Sequence, residues 1–134
     1  MTAGGTIRVV AALIRDEEGC VLLVRKRGTK AFMQPGGKRD PGEDDIAALS
    51  REISEELGCF LDPASIRSLG AFDAIAANEP GFRVKANLYR ADVTGEITPG
   101  QEIAETIWID PASPPDIHLA PLTRDHVLPL ACRC

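Results

Sequence analysis

Three observations predict an α/β or α+β sandwich. Thr6 to Ile14, "TIRVVAALI", is apolar at nearly every position and rich in β-branched residues, as in a strand buried on both faces. Asp44 to Leu57 repeats apolar residues at Ile46, Leu49, Ile53 and Leu57, steps of three and four that make one helical stripe. Leu69 to Ala77 and Phe82 to Ala91 read as two strands of a hairpin. Between them Glu79-Pro80-Gly81-Phe82 has Pro and Gly where a type II turn places them.

The remaining elements follow in order. Asp16-Glu17-Glu18-Gly19 is a turn, and Cys20 to Val24 resumes as a second strand ending in Arg25-Lys26-Arg27. Gly28 to Asp40 is expected to be a loop around Pro35-Gly36-Gly37. Acids at Glu43, Asp44 and Asp45 suit the start of the helix, and Gly58 suits its end. In the hairpin's second strand, Phe82, Val84, Ala86 and Leu88 share one face, and Arg83, Lys85, Asn87 and Tyr89 the other, expected to meet water. Thr106 to Ile109 is a short strand whose Trp108 is assigned to packing. After "DPASPP", Leu122 to Leu130 reads as a last helix, with His126 on its surface.

At 134 residues the chain is expected to form one domain, 1–134, large enough for a core without disulfides. Its composition is that of a globular protein, 44% hydrophobic and 26% charged, with mean hydropathy −0.05. A net charge of −5 argues against a surface built to bind a nucleic acid polymer. No apolar run approaches a membrane span, and the start "MTAGGTIRVV" has no basic segment leading into an apolar one. The expectation is a cytoplasmic protein without a membrane partner. Cys20, Cys59, Cys132 and Cys134 form no CxxC pair, and His118 and His126 are not spaced with them as zinc ligands. Cys132 and Cys134 are read as reduced thiols in a frayed tail.

The helix carries an electrostatic puzzle. Glu52, Glu55 and Glu56 crowd its C-terminal end, where the macrodipole disfavours negative charge. Glu52 and Glu56, four apart, repel one another by about 0.2–0.5 kcal/mol in an isolated helix. On a wheel of 100° per residue centred on Ile46, the apolar stripe lies within about 60°, and the three carboxylates fill a neighbouring sector about 100° wide. Arg51 stands at its edge, placed to pair with an acid. Clustered oxygen donors suit Mg²⁺ or Mn²⁺. Three glutamates alone also describe a solvated face. The glycines of Pro35-Gly36-Gly37 upstream let backbone approach a ligand, but a bare Pro-Gly-Gly is more often a turn; here it joins a longer pattern.

From Gly37 the spacing runs five residues to Glu43, seven more to Arg51, then Glu52-Ile53-Ser54-Glu55-Glu56-Leu57-Gly58-Cys59. This stretch resembles the signature of the Nudix hydrolases, G-x5-E-x7-R-E-U-x-E-E-x-G-U, where U is a bulky apolar residue. Seven fixed positions at usages of about 6% each would coincide by chance about once in 10⁹ starting points. The departure is Cys59 at the last U position, a change of packing rather than of chemistry. The resemblance implies an α/β/α sandwich with a mixed sheet, the box forming its loop–helix–loop. It implies metal ligation by Glu52, Glu55, Glu56 and the carbonyl of Gly36, with Arg51 holding the glutamates and Glu43 in support. It also implies hydrolysis, with Mg²⁺, of a nucleoside diphosphate linked to a further group. Many such proteins are dimers, so a homodimer is admitted.

In such chemistry a metal offsets the charge of the pyrophosphate and acidifies water, and a carboxylate takes the proton. Glu52, Glu55 and Glu56 are candidates for that base, as are Glu102 and, behind it, Glu105 in "GQEIAETIW". Arg25, Lys26 and Arg27 stand as candidates for phosphate contact and Phe32 for base stacking, each weighed against an ordinary surface or core role. Length and the absence of other subfamily markers resemble the MutT-like group, which clears oxidised nucleoside triphosphates such as 8-oxo-dGTP. The expected partner is a small-molecule nucleotide. A nucleoside triphosphate pyrophosphohydrolase is the first reading. An ADP-ribose or nucleotide-sugar pyrophosphatase stands second, and a non-catalytic nucleotide sensor is the alternative of another class.

Overall fold

The structure, a computed structural model, describes residues 4–133. Its strands are β1 (Thr6–Leu13), β2 (Val21–Lys26), β3 (Phe32–Met33) and β4 (Gly36–Gly37), followed by helix α1 (Asp45–Leu57). Then come β5 (Phe60–Leu61), a 3₁₀ turn Pro63–Ser65, β6 (Arg67–Ile75), β7 (Arg83–Arg90), β8 (Val93–Thr94) and β9 (Ile103–Ile109). The described chain ends in a π-helical turn, Thr123–Val127, running into α2 (Leu128–Arg133). A mixed sheet has the order β4-β1-β7-β6, with β1 parallel to β7, and an antiparallel sheet the order β3-β2-β9. β5 and β8 form a separate short pair. Among the described residues no helix is long and apolar enough to cross a membrane.

Two apolar clusters lie on opposite faces of β1 and β2. Val10, Ala12, Ile14, Leu22 and Val24 meet Leu49, Ile53 and Leu57 of α1, whereas Ala11, Leu13, Val21 and Leu23 meet Val127, Leu128 and Ala131 of the C-terminal segment. That is an α/β/α sandwich, and it accounts for the unbroken apolar run of β1. Only the second half of that run is buried on both faces; from Thr6 to Val9 exposed and half-buried residues alternate.

The structure corrects several expectations. The loop 28–40 is pinned to the sheets, with Gly36 and Gly37 pairing with Ala11 and Val10 as β4. Gly36 has φ +152°, and a Cβ there would overlap the Val10 carbonyl, so this approach admits glycine alone. Ile46 is 37% exposed, and the buried stripe is Ala48, Leu49, Ile53, Glu56 and Leu57, so the wheel centre moves round the helix and takes Glu56 inside. Trp108 is 39% exposed rather than packed. Asn87 and Tyr89 do not simply meet water: they donate to Asp45 Oδ2 at 2.9 and 2.6 Å, tying β7 to the start of α1. The expected C-terminal helix begins as a π turn because Pro129 cannot donate; instead Leu128 N–H reaches Thr123 O. Cys132 lies within α2 and is exposed, and Cys134 lies outside the described residues.

The hairpin turn forms as read, with Phe82 N–H donating to Glu79 O at 3.1 Å and Gly81 at φ +82°. Helix α1 is capped as its ends suggest. Asp44 accepts from Ala47 N–H, and Gly58 closes the helix at φ +64°.

Candidate active site

The C-terminal end of α1 is wrapped by the segment between β8 and β9. Thr98 N–H donates to Leu57 O at 2.6 Å and Gly100 N–H to Glu56 O at 3.0 Å, so outside donors satisfy carbonyls that the helix leaves free. The wrap carries Glu102 toward the glutamates. Its carbonyl accepts from Arg27 N–H at 2.8 Å, which ties this segment to the end of β2.

A cleft of about 580 Å³ opens beside this end of the helix. Gly36, Gly37, Glu52, Glu56, Lys26 and Glu102 line one part of it, and Ile7, Val9, Val84 and Ile75 line another. Glu52 lies flat against β4: a Cβ on Gly37 would sit within its carboxylate. Glu56 is 5% exposed, and among the described residues no cation pairs with it; Gly36 N–H, at 3.3 Å, is its hydrogen-bond donor. Burial pushes the Glu56 carboxyl up to about 7, with the Glu52 charge adding to the shift and Lys26 opposing it. Burial also raises Glu52, against the pull of Arg51.

Arg51 organises the loop ahead of the helix. Its guanidinium grips Glu43 through Nε at 2.8 Å and Nη2 at 2.9 Å and donates to Lys38 O at 2.9 Å. Glu43 also accepts from Asp40 N–H at 2.7 Å, and these bonds hold its carboxyl down to about 2. Glu43 therefore serves the loop. Arg51 reaches the metal-ligand candidates more loosely, Glu55 at 3.5 Å and Glu52 at 3.7 Å.

Of the residues picked out in the sequence, Gly36, Arg51, Glu52, Glu56, Lys26 and Glu102 line the cleft. Glu55 does not; its side chain is 58% exposed and turned toward Arg51. Glu105 is held by Arg25 across β2 and β9, at 2.7 Å, and is also outside the cleft. Arg27 donates to Gln101 O at 2.6 Å, leaving Lys26 as the cleft cation of that triplet. Phe32 is buried under the Arg25 guanidinium and belongs to the core. His126 sits on the C-terminal segment, its ring beside Phe72 and its Nε2 at 3.1 Å from Asp73 O. Gln34, Asn78 and Glu79 also line the cleft. The sequence marks Glu79 only as part of the hairpin turn and gives no sign of the other two, because each lies in a loop with no periodicity to mark its direction.

The donors fit a hard divalent cation: two carboxylates, one of them buried without a countercharge, beside a backbone approach that only glycine allows. Another acidic group has a different explanation. Among the described residues, Asp16, Glu18 and Cys20 bring their ligating atoms within 4.8 Å of one another. There Asp16 Oδ1 accepts from the amides of Glu18 and Cys20 at 2.9 and 2.8 Å, which makes the turn between β1 and β2.

Comparison with known proteins identifies the fold and the family. A family model described as "NUDIX domain" matches residues 5–130. A Bacillus subtilis protein named "Putative 8-oxo-dGTP diphosphatase" is 30% identical over 105 residues, 77% of this chain and 66% of that protein. An "8-oxo-dGTP diphosphatase" of Haemophilus influenzae is 43% identical over 56 residues, 39% of this chain and 41% of that protein. The matches thus span less than two thirds of the length of both relatives. A solved "MutT NUDIX hydrolase from Burkholderia pseudomallei" superposes with TM-score 0.74 at 25% identity, covering 96% of each chain.

Proposed function

The chain belongs to the Nudix hydrolase family, and from that premise we propose that it hydrolyses a nucleoside triphosphate, oxidised forms included, to the nucleoside monophosphate and pyrophosphate. The observation that carries the reading is the cleft itself. Glu52, Glu56 and Gly36 stand at one part of it, Lys26 beside them, and the aliphatic wall of Ile7, Val9 and Val84 along another. A polyanion next to a flat apolar ring is the chemistry that such a cleft accepts. The relatives named for 8-oxo-dGTP support the oxidised base as a substrate.

Glu52, Glu56 and the Gly36 carbonyl would hold Mg²⁺ or Mn²⁺. Bound there, the ion would neutralise phosphate charge and acidify water. The remaining work falls to the chain's own groups. Lys26 offers its ammonium to the phosphates; among the described residues no carboxylate lies within ion-pair distance of it. Glu102 lines the cleft and is assigned the proton from the attacking water. Arg51, through Glu43 and Lys38 O, holds the glycine loop against the helix. Glu55, exposed at the margin, is assigned to orienting Arg51 or to a metal bound only with substrate.

The test is pyrophosphate and phosphate release with Mg²⁺ across nucleoside triphosphates, 8-oxo-dGTP, ADP-ribose and nucleotide sugars, with Glu56→Gln as control. Pyrophosphate release from triphosphates, lost in the variant, is the expected result. Turnover confined to ADP-ribose or nucleotide sugars would replace the substrate reading. Binding without turnover would move the protein to the sensors.

A further inference from the structure

Among the described residues, three buried side chains are polar or charged: Glu56, Gln34 and Thr123. Glu56 belongs to the metal end of the cleft. The other two bond to each other, Thr123 Oγ1 donating to Gln34 Oε1 at 2.7 Å. Thr123 is fully buried, and Gln34 is 7% exposed. A buried glutamine bonded to a buried threonine is an expensive way to fill space, since leucine and valine would fill it without desolvating polar groups. The pair also bridges two distant parts of the chain, the segment before Pro35-Gly36-Gly37 and the start of the C-terminal helical segment.

The carboxamide has one acceptor and two N–H donors. With its oxygen taken by Thr123, its nitrogen is left as the group to satisfy. Gln34 lines the cleft together with Ala120 and Leu122 from the same C-terminal segment, and among the described residues no acceptor is bonded to its Nε2. An anchored N–H donor therefore stands in the wall of the cleft, which Ala120 and Leu122 also line.

We propose that Gln34 is a specificity residue that donates to a carbonyl oxygen of the substrate's nucleobase, and that Thr123 is the positioning residue that fixes its donor toward the cleft. The site takes bases bearing a ring carbonyl in preference to adenine, whose exocyclic amine would set donor against donor. The assignment deepens the nucleotide reading above and rests on it. It concerns the base alone and makes no demand on the metal.

Deoxyinosine and deoxyadenosine triphosphates isolate the contact, because at C6 one carries a carbonyl and the other an amine. Wild type is expected to favour dITP over dATP in kcat/KM by about tenfold, the value of one well-made hydrogen bond. Gln34→Leu should bring that ratio close to one, with the change in KM. Gln34→Glu, which keeps the shape and the bond from Thr123 but offers an acceptor, should reverse the preference. Thr123→Val should weaken the discrimination without reversing it. An unchanged ratio in Gln34→Leu, or a retained preference for dITP in Gln34→Glu, would overturn the proposal and leave the pair as a structural pin. If Gln34→Leu does not fold, the isosteric Gln34→Glu carries the test. If wild type turns over no triphosphate, calorimetric binding of dIMP against dAMP still reads the pocket. Selectivity there, reversed by Gln34→Glu, would keep this proposal while the catalytic one fails, and equal binding would overturn this one as well.

Discussion

Glu56 concentrates the electrostatic cost of the molecule in one carboxyl. It is buried, lacks a cationic partner among the described residues, and is pushed up to about 7 from 4.5. Without metal, the folded state keeps this proton between those values while the unfolded state has released it. Stability must therefore fall as pH rises from about 4.5 to 7 and level off above, a loss of about 3 kcal/mol. Urea unfolding in chelator across that range should show a steeper fall in wild type than in Glu56→Gln, where only the raised Glu52 carboxyl still contributes. A wild-type profile without that fall would mean the carboxyl finds a partner that the described contacts do not contain. With metal present, Glu56→Gln should lower kcat/KM by at least about a hundredfold, as loss of a ligand exceeds loss of its supporting bonds.

Helix α1 is held from both ends, and each hold has its own signature. Asp44 caps the first turn through Ala47 N–H, so Asp44→Ala should cost about 1 kcal/mol and lower Tm by about 3–5 °C, with little effect on turnover. Arg51 joins the helix to the preceding loop through two bonds to Glu43 and one to Lys38 O. Arg51→Lys keeps the charge but loses the fork, and should weaken metal affinity by about 10–100-fold. Titrating metal against intrinsic fluorescence or Tm would measure it. Equal affinity in Arg51→Lys would show that the loop holds its place without the guanidinium. The crowding of glutamates at the end of the helix is also accounted for at this scale. Amides of Thr98 and Gly100 satisfy the helix's last carbonyls, so its negative end is not left bare beside the glutamates.

Across the whole molecule, the cleft draws on β1, β4, α1, the β6–β7 connection and the C-terminal segment, which no single stretch of sequence contains. A ligand bound there bridges elements that unfolding would separate. Mg²⁺ at about a hundred times its Kd should stabilise the fold by about 2.7 kcal/mol, and Glu56→Gln should blunt the rise in Tm. Absence of any metal-linked shift in wild type would count against ligation by Glu52 and Glu56.

The helix, its caps, the hairpin turn and the glycine–glutamate spacing were legible in the residues themselves, because each rests on contacts within a few positions or on a period of the chain. The apolar run of β1 likewise declared a doubly covered strand, since both of its faces had to find a layer. What only the tertiary structure decided was direction. Ile46 and Glu56 exchange places between surface and core because the side of α1 that packs on β1 and β2 is set by those strands and not by the helix's own periodicity. Asn87 and Tyr89 turn from solvent to Asp45 because α1 begins above them. Among the acids, Glu55 lies outside the cleft lining, and Glu102 enters it because a loop far along the chain closes over the helix end. Local chemistry sets which groups are present; long-range packing sets which of them face one another across a cleft.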